Sequence, residues 1–194
     1  MKNRSSKIFI IVGLLLIAAA LFIIGYNFIE TKKAQNSVDE ILSQLDMITE
    51  DAEKASQNMT DLNTDMLGKT VEGISLVGII EIPSLDIVLP VAESLDNNTL
   101  KKVPCRYTGS AYSNDMVIAG HNYRSHFGKL SDIKPGAAVV FTDVNGNTFE
   151  YIAVEKEKLA STDIQEMTHS DWDLTLFTCT MDGQARVTIR CQAE

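Results

Sequence analysis

Hydrophobic positions along the chain fall into three textures. The first is an unbroken block. From Ile8 to Ile29 there are 22 residues without a charge. As a helix they rise about 33 Å, enough to cross a hydrocarbon core of about 30 Å. Lys2, Arg4 and Lys7 precede the block and Lys32 and Lys33 follow it. That bias predicts a cytoplasmic N-terminus over residues 1–7, a single span over 8–29 and the remainder outside the cell membrane. A cleaved signal peptide is the alternative. The apolar run is long for one, and no small-x-small site follows it.

The second texture is polar with a thin apolar stripe. Val38, Ile41, Leu42, Leu45 and Ile48 recur at helical spacing, and Ala52, Ala55, Met59, Leu62 and Met66 continue it more weakly. No Pro or Gly interrupts Thr31 to Leu67, and Gly68 closes the pattern as a C-cap glycine would. Residues 30–70 are expected to form a stalk. It is either a helix that spaces the next domain or packs on it or on a partner helix, or a partly ordered linker.

The third texture begins at Val71. "ISLVGIIEIPSLDIVLPV" gives short apolar runs punctuated by Pro and Asp, and "DMVIAGHN" is a buried-type strand ending at Gly120. "GAAVVFTDVNGNTFEYIAVEKEK" reads as two strands joined through Asn145-Gly146, and "DLTLFTC" and "ARVTIRC" as two more joined through Asp182-Gly183. Short strands with turn punctuation and no long helical period predict an all-β barrel or sandwich over residues 71–194.

Charge sharpens this division. Residues 1–33 hold five Lys/Arg and one Glu, whereas residues 34–194 hold 12 Lys/Arg and 25 Asp/Glu, a net of −13. An acidic outer part argues against nucleic-acid binding and fits poorly with docking on an anionic lipid surface. The three cysteines, Cys105, Cys179 and Cys191, are an odd number in an exported domain, so at least one is unpaired unless a bridge joins two chains. Cys179 closes a strand, and core residue, half-disulfide and nucleophile are all open readings for it.

Metal chemistry has little support, because the three Cys and three His show no CxxC, HxH or HExxH spacing. A phosphate-binding Gly-rich loop and a GxSxG serine elbow are both absent. A redox protein would want CxxC. Cysteine with histidine remains. His121, at the end of a hydrophobic strand, is placed to project into a cleft, or else to cap a loop. His126, in the polar "YRSHFGK", is expected on the surface. A thiol needs a lowered pKa or a nearby base to attack a carbonyl, and the oxyanion formed needs a donor. If a tight turn joins the last two strands, Arg186 returns beside Cys179, while Arg190 lies about 13 Å farther along.

These residues resemble the sortases, cysteine transpeptidases that anchor proteins to Gram-positive cell walls or join pilin subunits. The likeness is carried by Thr175-Leu176-Phe177-Thr178-Cys179 as a "TLxTC" strand, by Arg186 opening the next strand, and by Gly120-His121-Asn122 upstream. "VGIIEIPSLDIVLPV" is similar to the family's opening strands and "IKPGAAVVFTDVNGNTFEYIAV" to its central hairpin; the match spans roughly Leu76 to Cys191. The resemblance implies a closed eight-stranded barrel, class D-like or class B-like, with no cofactor and no metal. It implies Cys179 as nucleophile, His121 as acid/base, Arg186 as oxyanion stabiliser and substrate orienter, and Thr178 and Asn122 in the substrate groove. The expected partners are exported proteins with a C-terminal LPxTG-like sorting signal, and an amine from peptidoglycan precursor or a pilin. A pilin-polymerising role is the near alternative, mildly disfavoured because no Asp-Pro-aromatic lid is seen. An inert extracytoplasmic binding domain and an L,D-transpeptidase-like cross-linker are the distant ones.

Overall fold

The computed structural model of the chain describes residues 2–53, 66, 68–169 and 171–194. The apolar block and the first part of the stalk form one continuous helix, α1 (Lys2–Glu53). Over the block its side chains are exposed, Ile8 to Ile29 included, and it is long and apolar enough to cross a membrane. Past the block the stripe has found a partner. Ala34, Val38 and Ile41 are at most 2 % exposed and lie against the β-domain. Burying Val38 and Ile41 contributes roughly 2 kcal/mol each. The Gln44 amide also donates to Glu72 Oε1 at 2.8 Å. The weaker continuation of the stripe falls mostly outside the described residues.

Nine strands follow among the described residues: β1 (Lys69–Val71), β2 (Ile74–Ile82), β3 (Ile87–Ala92), β4 (Cys105–Thr108), β5 (Met116–Gly120), β6 (Ala138–Asp143), β7 (Thr148–Ala160), β8 (Leu174–Cys179) and β9 (Ala185–Ala193). Their order is β1-β2-β3-β4-β5-β8-β9-β7-β6, and β6 pairs back onto β2. That pairing closes an eight-stranded barrel from β2 round to β6, with β1 appended to the first half of β2. Closure leaves no long free edge. The alternation Leu76, Ile80, Ile82 on β2, with Leu174 and Leu176 on β8, fills the interior, all fully buried.

Both turn signals hold. Asp143 Oδ1 accepts from the amides of Asn145 and Asn147, each at 2.8 Å, and Gly146 takes φ 87°, a conformation glycine adopts without strain. Gly183 does the same at φ 72° in the β8–β9 turn, where Asp182 Oδ1 accepts from Gln184 N at 3.1 Å.

Two pairings are parallel, β3 with β4 and β5 with β8. Parallel neighbours need long crossovers. The crossovers carry two short helices, α2 (Asn97–Leu100), capped by the Asp96 carboxylate, and α3 (Ile164–Thr168).

His126 is a correction to the surface placement expected from its polar loop: it is fully buried. Its Nε2 lies 2.9 Å from the Lys102 carbonyl, an acceptor, so Nε2 carries the hydrogen. Nδ1 has no hydrogen-bond partner among the described residues. Burial pushes the pKa down to about 4, against a smaller upward pull from the Lys102 carbonyl. Between about pH 4 and 6.5 the unfolded chain therefore binds a proton that the folded one does not. The contribution is present above the unfolded pKa and is lost as pH falls through the folded one, a change of about 3 kcal/mol. Urea unfolding near neutral and mildly acid pH should show that loss in the wild type and a smaller one in His126→Gln. Equal slopes would contradict it.

Candidate active site

Strand register brings the candidate residues to one rim of the barrel. Parallel pairing sets Gly120 opposite Thr178, so His121, just past β5, and Cys179, the last residue of β8, follow at the same end of the sheet. Antiparallel pairing sets Cys179 opposite Arg186. Gly120 is required here: a Cβ would lie 2.5 Å from the Phe127 ring that packs over it. His121, Cys179 and Arg186 are each half-buried and together line one cavity of about 260 Å³. Its other walls are mostly apolar and include Leu95, Tyr107, Ile164, Met167 and Phe177.

Arg186 is tethered by its own turn. Its Nη1 donates to the carbonyls of Gly183 and Ala185 at 3.3 and 3.1 Å. Arg190 is different. It is 3 % exposed, pairs with Glu157 at 2.6 Å and donates to Thr175 Oγ1 and to the carbonyls of Glu166 and Met167. It ties α3, and with it two cavity walls, to the sheet.

Thr178 and Asn122 lie on the other side of the sulfur. With Cys179 they line a second cavity of about 450 Å³ that does not include His121 or Arg186. Asn122 Nδ2 reaches the Thr180 carbonyl at 3.5 Å, and the buried Thr178 hydroxyl has no partner among the described residues. Cys179 thus stands between an apolar depression and a more polar one.

His121 makes no hydrogen bond to the sulfur among the described residues. Its ring stacks on Tyr123, centroids 4.6 Å apart at 20°. Burial holds its pKa below the usual histidine value, helped by Lys101 and opposed by the Glu30 carboxylate. Sequence reasoning did not single out Tyr123, Glu30 or the cavity walls on α3. A tyrosine two residues past the histidine is a signal only once the loop's fold is known.

The other two cysteines settle as separate thiols. Cys105 and Cys191 are free and fully buried, and burial pushes each pKa up to about 12. A thiol titration of the native chain with dithionitrobenzoate is expected to count one fast group, and all three after denaturation. Two or three fast groups in the native chain would contradict this burial.

A thiol, an imidazole and a guanidinium at one rim of a closed β-barrel are the equipment of a cysteine-dependent acyltransferase. The chain belongs to the sortase family of cysteine transpeptidases: the Sortase domain family model matches residues 80–194. It is similar to Sortase D of Bacillus subtilis (strain 168), 25 % identical over 175 residues, covering 87 % of this chain and 88 % of that protein. Among solved structures it is similar to a Clostridium perfringens Sortase D5 transpeptidase, with a TM-score of 0.57, 16 % identity and coverage of 84 % of this chain and 99 % of that one. It is also similar to Clostridium perfringens sortase C with the C-terminal cell wall sorting motif, with a TM-score of 0.55, 20 % identity and coverage of 82 % and 90 %. As a sortase, the chain is a sorting-signal transpeptidase.

Proposed function

We propose that this sortase is anchored by a single span over residues 8–29, with residues 1–7 cytoplasmic and the barrel outside. There it cleaves an LPxTG-like signal on exported proteins and passes the acyl group to an amine of the cell-wall precursor. The convergence of Cys179, His121 and Arg186 on one cavity carries the reading. The Sortase D relative supports a class D-like member. The apolar side of the cleft suits the Leu-Pro part of a signal, and the polar side, lined by Asn122 and Thr178, suits the leaving and incoming amines.

In this reading the Cys179 thiolate attacks the carbonyl carbon of the Thr-Gly-like bond. The oxyanion that forms faces the Arg186 guanidinium. As the C–N bond breaks, the His121 imidazolium gives its proton to the leaving amine, and a thioester remains on Cys179. An acceptor amine then attacks the thioester carbonyl, loses a proton to His121 and releases the thiolate. Burial, against the pull of the Glu30 carboxylate, disfavours the His121 imidazolium that the first half-reaction needs.

Glu30 directly follows the apolar block and touches the loop after His121 through Tyr123. In this reading the rim lies close to the lipid surface, where a lipid-linked acceptor is concentrated. The test is incubation of the chain with quenched LPxTG-type peptides, alone, with a precursor-derived amine and with a lysine peptide, products read by mass spectrometry. Cleavage with ligation to the precursor amine is expected. Ligation to the lysine peptide alone would favour pilin polymerisation, and no cleavage of any peptide would contradict the substrate class.

A further inference from the structure

Histidines that act as acid and base are usually oriented by a partner on the ring. Here no hydrogen bond reaches either ring nitrogen of His121 among the described residues, and its one ring neighbour of close, near-parallel geometry is Tyr123. What holds Tyr123 therefore holds the imidazole. Its carbonyl accepts from the amides of His126 and Gly128, each at 2.9 Å, which fixes the backbone of the loop. Its hydroxyl reaches away from the barrel and donates to Glu30 Oε2 at 3.4 Å. A second tie runs parallel to the first, from Ser125 Oγ to the Thr31 carbonyl, also 3.4 Å. Both ties end on the first turn of α1 beyond the apolar block. That turn cannot drift, because Ala34, Val38 and Ile41 clamp the same helix to the barrel. Glu30 is itself steadied by the Tyr26 hydroxyl at 3.2 Å.

We propose that the membrane-exit turn of α1 is part of the active site: Glu30, acting through the Tyr123 hydroxyl, is a positioning residue that holds the His121 imidazole over the cavity. This rests on the reading of His121 as the acid/base. It makes the anchor helix a component of catalysis, beyond its role as a tether. The charge of Glu30 acts in the same sense as its geometry, favouring the imidazolium against burial and Lys101. The other groups facing His121 are Cys179 and Arg186 across the cavity, and the buried His126 behind Tyr123.

The full chain in lipid nanodiscs provides the test, with Glu30→Gln, Tyr123→Phe, Tyr123→Leu and His121→Asn, and with Glu40→Gln at an exposed position of α1 as control. Peptide cleavage is followed against pH, with kcat and KM resolved and thermal midpoints recorded. Glu30→Gln is expected to lower kcat several-fold with KM little changed, and to move the acid limb of the profile to lower pH, because loss of the carboxylate weakens proton binding at His121. Tyr123→Leu should cost about tenfold or more in kcat, the order expected when a reacting group loses alignment. Combining Glu30→Gln with Tyr123→Phe should cost less than the sum of the two, since both act on one contact. If His121→Asn is inactive while Glu30→Gln and Tyr123→Phe leave kcat and the acid limb at wild-type values, the positioning role is overturned. If His121→Asn retains full activity, the acid/base reading fails and the positioning role falls with it.

Discussion

Cys179→Ala is expected to take peptide cleavage and ligation to the assay floor, a loss of about 10⁴-fold or more, while the thermal midpoint stays at the wild-type value. The reason is local. Cys179 is the last residue of β8 and half-buried, so its side chain contributes little packing, and alanine keeps the strand intact. No other thiol lines either adjoining cavity. The buried Cys105 and Cys191 lie in the core, and Thr178 has its hydroxyl buried without a base. Residual cleavage above a hundredth of wild type would mean that the covalent route is not the route.

The second large effect separates two arginines four residues apart on β9. Arg186→Ala is expected to lower kcat/KM by about 10²–10³-fold, the usual cost of one oxyanion donor, with little change in stability. Its guanidinium is half-exposed and, among the described residues, bonded only to turn carbonyls, so folding does not depend on it. Arg190→Ala should do the reverse. It strands the Glu157 carboxylate and frees α3 from the sheet, at a cost of about 3 kcal/mol; Glu157, at 31 % exposed, keeps some water, which holds the figure at the low end for a broken buried pair. Any activity lost in Arg190→Ala should return on cooling, whereas that of Arg186→Ala should not. Measured together, kcat/KM and the urea midpoint distinguish the two. An Arg186→Ala protein that unfolds early, or an Arg190→Ala protein as stable as wild type, would reverse the assignment.

Much of the architecture was legible in the sequence because it rests on local signals. The uncharged run Ile8–Ile29, the period-two strands, and the Asn145-Gly146 and Asp182-Gly183 turns each report their own structure. The closed eight-stranded barrel and the membership of the sortase family follow from their order and from the TLxTC strand. Less legible were features set by partners distant in the chain. β4 is four residues long and bounded by Pro104 and Gly109, too short for a period to appear. His126 looks polar in sequence and is buried because the Lys102 carbonyl, 24 residues away, receives its hydrogen. The convergence at the rim depends on parallel pairing of β5 with β8, which no local pattern encodes. The contact between Glu30 and Tyr123 spans 93 residues and becomes visible only when the stalk helix is docked.

The mechanism turns on an acyl-enzyme at Cys179, which intact-mass analysis detects. The chain is mixed with an LPxTG-type peptide lacking any acceptor amine, quenched in acid at short times, and weighed before and after hydroxylamine. The expected result is an added mass equal to the peptide fragment ending at its threonine less one water, mapped to Cys179 by peptic digestion, removed by hydroxylamine and absent from Cys179→Ala. Cleaved peptide with no adduct at any time, or an adduct on another residue, would contradict it.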